Sequence, residues 1–94
     1  MDDRDLHLDG NAAGGLLGEV FGFEMTTAVA GCAGCGAHNE VGALMAYAHG
    51  MGTVLRCPAC EAVVGRVAHG GGRYWLDLRG AAFLQLDEAA RAAG

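Results

Sequence analysis

Two Cys-x-x-Cys turns constrain this chain more than anything else in it: Cys32-Ala33-Gly34-Cys35 and Cys57-Pro58-Ala59-Cys60. A gap of two residues lets one tight turn aim two sulfurs at a single ion. A second such turn completes a tetrahedral four-sulfur cage. The 21 residues between the turns, Gly36 to Arg56, slightly exceed the usual spacer of about 15–20 and leave room for one β-hairpin. Cys32, Cys35, Cys57 and Cys60 are therefore the expected metal ligands. Four protein ligands leave no open position for water, so the expected site is structural rather than catalytic.

The size of the chain explains why such a staple matters. Its 94 residues suggest one domain, and the part that contains both turns, Met25 to Gly80, is too short to bury much apolar surface. A structural zinc contributes about 10–16 kcal/mol in finger peptides near neutral pH, enough to decide whether a chain like this folds.

Compartment bears on whether the thiols hold metal or pair as disulfides. The start, Met1-Asp2-Asp3-Arg4-Asp5, is acidic and no apolar signal region follows it. No apolar run approaches the roughly 18 residues of a membrane span. The expected location is the cytoplasm, where thiols stay reduced. The formal net charge is −5, and residues 1–24 carry six acids against one arginine. Lysine is absent. That is a poor footprint for general nucleic-acid binding, which rests on neutralising phosphates.

Along the chain, three segments are expected: an acidic tail and N-terminal helix over 1–24, a metal ribbon over 25–86, and a loose tail or short helix over 87–94. His7 to Asn11 reads as a turn that starts the helix, with Asp9 or Asn11 as its cap. Ala13, Leu16, Leu17, Val20 and Phe21 recur at i, i+3, i+4, i+7 and i+8, the apolar stripe of an amphipathic helix. The stripe is expected to pack on the ribbon, a docking role for a partner being the other reading. Gly14, Gly15 and Gly18 weaken the helix by about 1 kcal/mol each relative to alanine, and Gly22 is its expected stop.

Met25 to Ala30 leans toward a strand. Gly36, after the first turn, permits the positive φ such a turn requires, whereas the second turn has Glu61 there. Ala43 to His49 and Gly52 to Arg56 read as a hairpin about Gly50-Met51, with Ala48 opposite Thr53 and Tyr47 opposite Val54. Ala62 to His69 and Arg73 to Arg79 read as a second. A turn at Gly70-Gly71 would pair Val67 with Tyr74, Gly65 with Leu76 and Val63 with Leu78 on an apolar face. Arg66 would then lie across from Trp75, and Val64 from Asp77, on a charged face. Ala81 to Leu86 is a last strand or packed coil, and Asp87 caps a loose terminal helix. The expected fold is a small mostly-β zinc ribbon with rubredoxin-like knuckles, about five short strands and an N-terminal amphipathic helix.

Other chemistry is sparse. Rubredoxin-like iron uses similar turns, but the second turn lacks its glycine, which favours zinc over iron. A redox role for Cys57 and Cys60 would ask for a helix after the pair; a strand follows. His38 is expected in an exposed loop rather than at the metal. His49 and His69 are expected in solvent, and His7 in packing before the helix. Arg66, Arg73, Trp75 and Arg79 form a candidate partner-binding face, because Arg and Trp are common interface anchors. The bland reading is a cross-strand Arg66–Trp75 cation–π contact on a solvated face. No phosphate-binding loop and no serine occur, and no carboxylate pair is placed for acid–base work.

His7-Leu8-Asp9-Gly10-Asn11-Ala12, Glu19-Val20-Phe21, Cys32-Ala33-Gly34-Cys35-Gly36, Cys57-Pro58-Ala59-Cys60 and Trp75-Leu76-Asp77-Leu78-Arg79-Gly80 together resemble a family of small bacterial zinc-ribbon-like proteins known as a domain of unknown function. The resemblance covers roughly residues 7–86. It implies the four cysteines as ligands, no catalytic residue, and an accessory role beside an oxidoreductase. The reading is a non-enzymatic zinc-binding accessory or protein-interaction module. The alternatives are a nucleic-acid-binding or transcription-associated ribbon and a rubredoxin-like iron electron carrier.

Overall fold

The computed structural model describes residues 7–50 and 52–91, without the side chains of residues 7–12 and of His49. The strands are β1 (His7–Asp9), β2 (Val29–Cys32), β3 (His38–Glu40), β4 (Met45–His49), β5 (Gly52–Arg56), β6 (Val63–Gly70), β7 (Arg73–Asp77) and β8 (Ala81–Gln85), with one helix, α1 (Gly10–Phe21). They form a five-stranded antiparallel sheet in the order β1-β4-β5-β6-β7 and a three-stranded one in the order β3-β2-β8. The protein is thus a small mostly-β ribbon with an N-terminal helix, as its pattern predicts, with more strands than the expected five.

The unforeseen strands are short and pair across long separations. His7 to Asp9, expected as a turn, runs antiparallel to β4, with His7 opposite Tyr47 and Asp9 opposite Met45. His38 to Glu40 pairs with β2. Met25 to Ala30 splits instead of forming one strand: a 3-10 turn at Met25–Thr27 precedes β2. The proposed caps Asp9 and Asn11, the packing of His7 and the solvation of His49 concern side chains outside those described. The start of the expected acidic tail, residues 1–6, and residues 92–94 are also outside. At the far end, Asp87 caps only a 3-10 turn, Glu88–Ala90, by accepting the Ala89 N–H at 2.9 Å.

The helix stripe is core. Ala13 and Leu17 are buried with Met25, Val41, Leu44, Ala46, Leu55 and Val67, and Leu16 and Phe21 pack against them. Val20 is half-buried. Gly22 ends the helix at φ +73°, its N–H donating to the Gly18 carbonyl at 2.9 Å.

The first hairpin has the expected register, Tyr47 opposite Val54 and Ala48 opposite Thr53. The second differs. Its turn is Gly71-Gly72, both with positive φ (60° and 74°), the requirement at both centres of a type I′ turn. Moving the turn by one residue slides the register by two. Val67 therefore faces Leu76 rather than Tyr74, Arg66 faces Asp77, and Ala68 faces Trp75. Parity is kept, so Arg66, Arg73, Trp75 and Asp77 still share one face. The expected Arg66–Trp75 pairing is replaced. A bulge adds a second change. Arg56 pairs with Val63 but Leu55 with Gly65, so Val64 is the extra residue and enters the core, while Val63 is exposed. The face expected to be charged thus loses Val64, and the apolar face does not continue through Val63.

Candidate metal centre and the arginine cleft beside it

Each Cys-x-x-Cys turn is closed by the same two backbone bonds. In the first, at the end of β2, the Gly36 N–H donates to the Cys32 carbonyl at 2.8 Å and the Cys32 N–H to the Ala37 carbonyl at 2.8 Å. In the second, between β5 and β6, the Glu61 N–H donates to the Cys57 carbonyl at 2.7 Å and the Cys57 N–H to the Ala62 carbonyl at 2.9 Å. The shared geometry demands a left-handed residue after the second cysteine. Gly36 has φ +80°; Glu61 has φ +65° and is the one non-glycine residue with positive φ among those described. Arg56 compensates locally, its Nη1 donating to the Glu61 carbonyl at 2.8 Å.

The two turns bring their sulfurs together. All four Sγ atoms lie within 4.8 Å of one another. Cys32 to Cys60 is 3.7 Å and Cys35 to Cys57 is 3.8 Å, far beyond the ~2.05 Å of a disulfide. A tetrahedral ion with bonds of about 2.3 Å to sulfur has sulfur–sulfur edges of about 3.8 Å. The donor set and its spacing therefore fit a four-coordinate metal ion. The amide of Cys35 holds the Cys32 thiol at about 7, against the opposing effect of burial. The Ala62 amide acts downward on Cys60, but the Cys35 sulfur, burial and the Cys32 and Cys57 sulfurs together push it up to about 12. All four sulfurs could ionise together only with a cation among them to offset their mutual repulsion.

The site also joins the two sheets. Cys32 and Cys35 follow from the three-stranded sheet, and Cys57 and Cys60 from the five-stranded one. Cys32 and Cys57 are buried; Cys35 and Cys60 face out. A second tie runs through Gly80. Its carbonyl accepts the Ala33 N–H at 2.9 Å, and a Cβ on it would stand 1.9 Å from the Val63 carbonyl oxygen. Nothing in the sequence signals this demand; only the pairing of distant segments reveals it.

His38 is not among the clustered ligands. It starts β3, where its ring meets Phe83 edge-on at 4.9 Å. His69, expected in solvent, is exposed yet stacks on Tyr74 at 4.1 Å, and the Tyr74 hydroxyl donates to Glu19 Oε2 at 3.1 Å.

Beside the second turn, a cleft of about 510 Å³ is lined by Val54, Arg56, Val63, Arg66, Asp77 and Arg79, with Gly65 and Gly80. Asp77 is committed to Arg79: Arg79 Nη2 reaches Oδ2 at 2.7 Å and Nε reaches Oδ1 at 3.0 Å. Those bonds hold the Asp77 carboxyl down at about 2. Arg56 spends a donor on a neutral carbonyl, and Arg66, opposite Asp77 in the sheet, makes no hydrogen bond or close ion pair among the described residues and acts on that carboxylate only through its field. The cleft is therefore net cationic in a chain of net charge −5. Of the candidate face, Arg66 and Arg79 line this cleft; Arg73 and Trp75 sit further along the same sheet face. Trp75 is 68% exposed. Arg56, missed as a site residue, had one signal: it immediately precedes Cys57.

No helix among the described residues is long and apolar enough to cross a membrane. A family model described as a family of unknown function (DUF6510) matches residues 3–89. No curated protein and no solved structure matches the chain.

Proposed function

The chain belongs to the family of unknown function DUF6510, and we propose from its own geometry that it is a non-enzymatic, zinc-stabilised accessory module of the cytoplasm that docks an acidic segment of a protein partner. Its four thiolates form a closed structural site; zinc is favoured over iron because the second turn replaces the usual glycine with Glu61. The observation that carries the docking role is the cationic cleft beside that turn, where three arginines, Arg56, Arg66 and Arg79, meet the single carboxylate of Asp77. Arginine presents its donors in a rigid fork suited to carboxylates. Trp75 and Arg73 extend this face as anchors. The accessory role that the sequence's family resemblance implies makes an oxidoreductase the expected partner.

The test is purification of tagged protein from its native host under mild, low-salt conditions. A defined oxidoreductase retained by the wild type and lost with Arg66→Glu supports the reading, and the absence of a stoichiometric partner contradicts it. Trp75→Ala should weaken the same complex while leaving the fold intact. Oligonucleotide binding that falls steeply with salt would favour a nucleic-acid role instead. Visible absorbance from bound iron would favour electron transfer.

A further inference from the structure

Strand β7 ends the five-stranded sheet, and nothing among the described residues pairs with its outer edge. We propose that this edge is a self-complementary interface on which a second copy of the chain adds its own β7, antiparallel, about a two-fold axis at Trp75.

The backbone supplies the first part of the case. In a two-residue hairpin the residues flanking the turn, here Gly70 and Arg73, exchange backbone bonds. Alternation then directs Arg73, Trp75 and Asp77 toward β6 and leaves the N–H and C=O groups of Tyr74 and Leu76 pointing away from the sheet. An antiparallel neighbour centred on Trp75 sets Tyr74 of one copy opposite Leu76 of the other, twice, so every outward group is satisfied.

The side chains supply the second part. Arg73-Tyr74-Trp75-Leu76-Asp77 carries opposite charges at equal distances on either side of its centre. In the centred register, Arg73 meets Asp77 of the second copy on both sides of the axis. Trp75 meets Trp75 of the second copy at a non-hydrogen-bonded position, where side chains approach most closely. Tyr74 meets Leu76 on the other face. Every pairing is favourable, and it is the register that uses the whole strand. A two-residue slide sets a charge against Trp75, and a one-residue slip puts the charges and the apolar residues on opposite faces. Tyr74, Trp75 and Leu76 are three of the five large apolar residues left exposed among those described, so the edge is where this molecule leaves apolar surface uncovered. Lysine, the usual guard of an exposed edge, is absent from the chain. Asp77 arrives oriented, because Arg79 already holds it. A two-fold axis normal to the sheet keeps both open faces on one side, so the pair would present two arginine clefts. The inference does not rest on the proposed docking role.

The experiment is mass measurement by sedimentation or light scattering across a concentration series, with metal content and circular dichroism as controls of folding. The wild type is expected at twice the 9.6 kDa of the chain, dissociating on dilution. Arg73→Asp opposes two acids and Asp77→Arg opposes two arginines, so each variant alone is expected to be monomeric. An equimolar mixture of the two is expected to recover the doubled mass, because each supplies the charge the other lacks. Trp75→Arg, at an exposed position, is expected to be monomeric with the fold intact and covers the case in which Asp77→Arg unfolds. A wild type that stays at the single-chain mass, single variants that still pair, or assemblies larger than two would each overturn the proposal.

Discussion

The two metal-binding turns share one backbone design and reach it by different means. The first uses glycine at its left-handed position and packs on the smaller sheet. The second forces Glu61 into that conformation and supports it with a side-chain bond from Arg56. A non-glycine residue there costs roughly 1–2 kcal/mol, so the second turn is the strained one, and it borders the cationic cleft. Glycine makes the first turn self-sufficient. The second depends on an arginine that also lines the surface proposed to meet a partner, which couples the metal site to that surface.

That contrast can be broken most severely by removing a sulfur. Cys57→Ser leaves three thiolates around the ion and is expected to lose the metal and the cooperative unfolding transition. Thermal melts with metal analysis check this; a metal-free variant of wild-type stability would contradict a structural role. Gly80→Ala comes next. Its Cβ would overlap the Val63 carbonyl, so backbone must move where the two turns are tied. Overpacking of this kind costs typically about 1–3 kcal/mol, and denaturant unfolding should place this variant at or above the top of that range. Arg56→Met removes the support of the second turn alone. With a charged donor lost at a partly exposed site, about 1 kcal/mol is expected, together with faster metal release to a chelator. The matched pair Gly36→Ala and Glu61→Gly sharpens the contrast at the smallest scale. The first should destabilise and the second stabilise, each by about 1 kcal/mol. Equal signs in denaturant unfolding would show that the turns are not built alike.

What could be read from the residues followed from local chemistry. Cysteine spacing located the clustered sulfurs, the helix stripe found its buried face, and Gly50 set the register of the first hairpin. The second hairpin shows where such reading stops. Gly70, Gly71 and Gly72 offer two equivalent turns, and both keep the same residues on the same face, so alternation alone could not choose between them. Strands β1 and β3 are three residues each, too short to carry a periodic signal; their partners define them. Gly80 and Arg56 act through contacts with Val63 and Glu61 that exist only once the chain has folded. The bulge that turns Val64 inward is likewise a product of pairing with β5.

The central claim is that one ion, held by two sulfurs from each sheet, fastens the sheets together. X-ray absorption at the metal edge on purified protein tests it most directly. The account predicts one ion per chain with four sulfur neighbours at about 2.3 Å. A shell with fewer sulfurs completed by nitrogen or oxygen would contradict it.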